Sequence, residues 1–111
     1  MKRPAHIRTA ADREAALARL SEAIAALRTP EQVTALLRDL CTPAELEALS
    51  DRWQVVPLLL ENLPYRDIHD RTGVSVTTVG RVARSLTHGA GGYLAAAEAL
   101  GLHRHRTETL A

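Results

Sequence analysis

Leu17, Leu20, Ile24 and Leu27 recur at three- and four-residue intervals, with Asp12, Arg13, Glu14, Arg19, Glu22 and Arg28 on the wet side. That pattern predicts an amphipathic helix over 10–27, entered through Thr9 as N-cap with Asp12 near its positive end. The stripe is narrow, of the kind that packs on a partner helix. Next, Thr29-Pro30-Glu31-Gln32 supplies a capping threonine, a proline at the first helical position and a glutamine placed to close a capping box. It opens a short helix carrying Val33, Leu36, Leu37 and Leu40. Thr42-Pro43-Ala44-Glu45 repeats the device and opens the longest helix, about 43–62, striped by Leu46, Leu49, Trp53, Val56 and Leu60. Over 55–60 this helix is apolar nearly all round, more than the short helices of one chain can cover, which predicts burial by a second copy. Pro57 lies inside it, lacks an N–H, and is expected to kink or interrupt it.

Residues 65–86, YRDIHDRTGVSVTTVGRVARSL, change the picture. They read as a short helix over 65–71 with Ile68 inward, a turn at Thr72-Gly73, and a second helix capped by Ser75 accepting from the Thr78 N–H. Glycine suits the left-handed residue that ends the first helix. Val79, Val82 and Leu86 make the inward stripe of the second helix, with Val76 completing it. Thr77, Thr78, Gly80, Arg81, Arg84 and Thr87 face the other way, without a carboxylate among them. A helix that merely covers a core mixes both signs on its wet face. One that enters a groove lined with phosphates excludes Asp and Glu and keeps its leading residues short. This is the logic of a helix-turn-helix over 65–87; the plainer alternative is a helical hairpin with a threonine-rich solvated face. After it, His88-Gly89-Ala90-Gly91-Gly92 reads as a flexible joint, 93–100 as a final alanine-rich helix ended by Gly101, and the remainder as a loose tail.

Composition agrees with an all-α fold. The apolar residues are nearly all Ala, Leu and Val, the aromatics are Trp53, Tyr65 and Tyr93, and there is no Phe among 111 residues. The organisation expected is a basic arm over 1–8, one helical domain over 9–101 and a tail over 102–111. A net charge of +1 hides an asymmetry. Residues 1–62 hold eight Lys and Arg against nine Asp and Glu, whereas 63–106 hold six Arg against three acids and four His. The basic half carries the turn motif.

Enzymatic readings fare poorly. No glycine loop follows a strand; Gly89, Gly91 and Gly92 follow a helix and suit a hinge. Cys41, the single cysteine, excludes an intrachain disulfide and a cysteine-based zinc site, and reads as a small core residue rather than a nucleophile. His103 and His105 lack the further ligands a metal needs, and Glu45 and Glu47 suit a dipole-complementing first turn. No metal or catalytic site is expected. Neither a run of roughly 20 apolar residues nor an apolar signal core at MKRPAHIRTAADREAA is present, so a cytoplasmic protein with no membrane partner is expected.

LCTPAELEALSDRWQVV, then the turn motif, VTTVGRVARSL and HGAGGY, together resemble the Trp repressor superfamily over about residues 30–100. The likeness is to the related branch in which Gly-Gly-Tyr follows the recognition helix. His69 strengthens it. Most helix-turn-helices need a small residue four places before the turn glycine, and the Trp repressor shares with this chain a long polar one there. The resemblance implies an intertwined helical homodimer whose two motifs reach successive major grooves of a double-stranded operator. It implies DNA contact from Arg66, His69, Val76, Thr77 and Gly80, with Thr78 on a phosphate or packed beneath; Arg84 joins them from the basic face. Arginines would position the protein on phosphates, and short side chains would read bases through water.

The family's pocket clasps a planar aromatic amino acid between two arginines, which match Arg52 and Arg81 here. Thr42 and Ser85 match its supporting hydroxyls, and the backbone near Asp39 and Cys41 matches the acceptor of the amino group. Guanidinium planes stack on a flat ring and one can pair with a carboxylate. Val82 stands where tryptophan-binding members have glycine, and Trp53 follows the first arginine. Val82 would crowd an indole, so the ligand is left open between tryptophan, a smaller aromatic carboxylate and none. The function implied is a sequence-specific DNA-binding transcriptional regulator, most simply a repressor gated by such a corepressor. The alternative is a helical interaction module that keeps the fold without reading DNA and uses the Leu17–Leu27 stripe on a partner.

Overall fold

The computed structural model describes residues 8–102, and among them every regular element is an α-helix. In order they are α1 (Ala10–Ala26), α2 (Pro30–Leu40), α3 (Pro43–Leu60), α4 (Tyr65–Thr72), α5 (Val76–His88) and α6 (Gly92–Ala99). The all-α class read from composition is the class adopted. Most of the basic arm, and the tail with His103 and His105, lie outside the described residues. The sequence suggests one domain over 9–101; the helices group into two units, Met1–Thr42 and Pro43–Ala111.

The first unit is built by its caps. Thr9 and Asp12 form a reciprocal box: the Asp12 N–H donates to Thr9 Oγ1 and the Thr9 N–H to Asp12 Oδ2, each at 3.0 Å. At α2 the box expected from Gln32 is displaced by one residue. Thr29 Oγ1 accepts from the Gln32 N–H at 3.1 Å, but Gln32 Oε1 reaches past the cap to the Arg28 N–H at 2.9 Å. Neither helix buries a residue; Leu17 is 55 % exposed and Leu40 50 %. Cys41 is a half-buried C-cap, its N–H donating to the Leu37 carbonyl, and not the core residue expected.

The second unit holds the core. Val55, Val56 and Leu60 of α3, Ile68 of α4, Val74, the Val79–Val82–Leu86 stripe of α5 and Ala97 of α6 are buried together. The helix α3 runs through Pro57 without the interruption expected there. Val55 and Val56, both 0 % exposed, and Leu60 at 2 % bracket the proline, so burial on either side outweighs one missing N–H. The helix stops sooner than 62 because Asn62 takes a left-handed φ of 63°. The Asn62 N–H then donates to the Leu59 carbonyl and the Leu63 N–H to Leu58, a Schellman ending that folds Leu63 back onto the core. The joint after α5 is shorter than 88–92, since His88 completes α5 and Gly92 begins α6. Gly89 is required by close approach: a Cβ there would run into the Ser85 carbonyl. Trp53 and Tyr93 tie α3 to α6, with ring centroids 6.5 Å apart.

Candidate nucleic-acid interface

The geometry of the interface is set by the turn between α4 and α5. Gly73 ends α4 at φ 78°, its N–H donating to the His69 carbonyl at 2.7 Å. That conformation is strained for a residue with a Cβ. Thr72 then bridges the turn, its hydroxyl donating to the Ile68 carbonyl at 2.7 Å and accepting from the Val74 N–H at 3.0 Å. His69 closes the other side: its Nδ1–H donates to the Val74 carbonyl at 2.8 Å. The carbonyl can only accept, so Nδ1 carries a proton in this contact. A long polar side chain is therefore tolerated at this position because it turns into the loop and satisfies it. Both polar groups of Val74 are thereby paired beside a core residue that is 5 % exposed.

Ser75 caps α5 as the sequence predicts, accepting from the Thr78 N–H at 3.1 Å. Its own hydroxyl donates to Thr78 Oγ1 at 3.0 Å, so Thr78 is half-buried and engaged beneath the leading turn. Ser75→Ala removes both bonds and is expected to lower stability by about 1 kcal/mol in urea unfolding. No change would mean the cap is carried by water instead.

The exposed positions are Arg66 on α4 and Val76, Thr77, Arg81 and Arg84 on α5; Gly80 is half-buried. The helix α5 contains no carboxylate, and its outer face carries threonines on the first turns and Arg81 and Arg84 beyond them. Val76 departs from the expected stripe, being 43 % exposed. Val74, one residue before the cap, fills that end of the core, which leaves Val76 to solvent. The pattern of apolar spacing did not single out Val74. It also missed Tyr65, which is 43 % exposed and sets its ring edge against Gly80, where a Cβ would lie 3.6 Å from Cε2.

The proposed ligand residues divide between the two units. Asp39, Cys41 and Thr42 belong to the first. Arg52, half-buried on α3, and Arg81 and Ser85 on α5 belong to the second, on helices that pack together. Val82, at 2 % exposure, packs in the core in line with Val79 and Leu86, as its place on the inward stripe predicts. Among the described residues no helix is long and apolar enough to cross a membrane.

A profile of the Trp repressor protein family matches residues 15–100. The chain is 35 % identical over 77 residues to the uncharacterized protein YerC of Bacillus subtilis, covering 69 % of this chain and 74 % of that one. Among solved structures, a Trp repressor candidate from Staphylococcus aureus superposes with a TM-score of 0.75 at 33 % identity, over 82 % of this chain and 91 % of the other. A TrpR-like protein of Eubacterium eligens gives a TM-score of 0.74 at 36 % identity, over 82 % and 94 %. With a turn geometry, a basic recognition face and a family profile spanning most of its length in agreement, this chain belongs to the Trp repressor family.

Proposed function

We propose that the protein is a sequence-specific regulator of transcription that binds double-stranded DNA as a homodimer and represses by occluding a promoter. One observation carries this reading. The turn between α4 and α5 is fixed by four hydrogen bonds, and the helix it presents has threonine and arginine outside with no acid. Such a helix suits the major groove, with Arg66 and Arg84 on phosphates and Thr77 and Gly80 close to base edges. The exposed apolar residues of the first unit favour a second copy, which would set two recognition helices roughly 34–36 Å apart. The site of action would be the cytoplasm.

A small planar aromatic acid held between Arg52 and Arg81, with Ser85 as a hydroxyl partner, would gate the hold on DNA.

The test is enrichment of a duplex from a randomised pool, followed by titration at several salt concentrations. With about six phosphates neutralised, affinity should fall roughly a thousandfold between about 50 and 200 mM salt. No enriched duplex, or affinity indifferent to salt, would overturn the reading. In the same titration, aromatic acids should change the affinity of the native protein and leave Arg52→Ala unmoved; equal responses would remove the gating.

A further inference from the structure

We propose that Tyr65, Val76 and Gly80 form an apolar notch that reads the 5-methyl group of a thymine. This rests on the reading that α5 enters the major groove, and it names what that helix recognises there.

Tyr65 and Val76 are the large hydrophobic residues of α4 and α5 left exposed, each at 43 %. They flank one spot. Val76 and Gly80 are one helical turn apart and share a face, and the Tyr65 ring edge lies against Gly80 from α4. Glycine is a poor choice inside a helix, second only to proline in its cost. Here the fold does not demand it: a Cβ at 80 would meet Tyr65 Cε2 at 3.6 Å, ordinary contact, and no other atom within 4 Å outside its own helix. Its φ is not in the left-handed range. The missing side chain therefore leaves the helix backbone open beside the Tyr65 ring edge, one turn from Val76 on the same face, on the first turns of the helix.

Polar base edges would lose water in this notch and find no partner in its walls. The major groove offers one apolar feature among the four bases, the thymine methyl, and apolar side chains are its usual contact. The occupant that fits is that methyl.

The experiment starts from the duplex enriched above and replaces each thymine singly by deoxyuridine, which removes only the methyl. One thymine in each half-site should lose about fourfold in affinity, the equivalent of the ~0.8 kcal/mol of one buried methylene-sized group. Other thymines should change little. With Val76→Ala or Tyr65→Ala, whose thermal melts should match the native protein, the same replacement should no longer matter. Gly80→Ala should melt at a higher temperature yet bind the thymine duplex more weakly, because the added methyl occupies the notch. Full discrimination by the Val76 and Tyr65 variants, or a duplex in which no uracil replacement matters, would overturn the notch while leaving DNA binding intact. Failure to enrich any duplex would instead remove the reading beneath it. Loss of dimer in either variant would assign these side chains to a protein contact and overturn the proposal as well.

Discussion

Ile68→Ala should destabilise the protein by about 3 kcal/mol. Ile68 is 0 % exposed and is the one fully buried side chain of α4, in the cluster that joins it to α3 and α5. Truncation removes its burial and leaves a cavity where α3, α4 and α5 meet. Against a total stability of about 5–15 kcal/mol for a native domain, that is a substantial fraction. Urea unfolding followed by far-ultraviolet circular dichroism reads it directly. A loss below about 1 kcal/mol would mean α4 is not held to the core, and the angle between α4 and α5 would then be unconstrained.

Arg66→Ala combined with Arg84→Ala should weaken duplex binding about a hundredfold, roughly tenfold per charged hydrogen bond removed. Both arginines are exposed, so unfolding and association state should be unchanged. The salt dependence gives the sharper reading. Each phosphate contact contributes about 0.9 to the slope of log affinity against log salt, so the double variant should be shallower by about 2. Because phosphates carry no sequence information, the ratio of affinities for the enriched and scrambled duplexes should hold. A collapse of that ratio with an unchanged slope would move these arginines from phosphates to bases.

How much of this was legible beforehand depended on where the physical demand sits. The turn was legible because it is written in residue types with few alternatives: Gly73 for a positive φ, Ser75 for a cap, no acid on α5. Helix starts at Pro30 and Pro43 were legible for the same reason. Competitions between neighbours were not. Spacing alone could not say that Val74 rather than Val76 closes the core, since both are valines near a turn. Nor could it foresee that burial around Pro57 would carry α3 onward. His69 could be located but not its division of labour, because which ring nitrogen faces the turn depends on a carbonyl five residues on. Spacing does not mark Tyr65 as a wall of α5, since its neighbour is a glycine fifteen positions later. The ligand residues carried over by resemblance stand on two separate units, and of these Val82 belongs to the interior.

The absence of any buried side chain in α1 and α2 has a consequence for supply. Helices of 17 and 11 residues with capped ends but no fully buried side chain are near the margin of persistence in water. In the proposed homodimer their order follows mass action: scarce molecules would fray along Leu17, Leu20 and Ile24, and abundant ones would not. The cell's dose of this polypeptide would itself decide how much of it is in working shape.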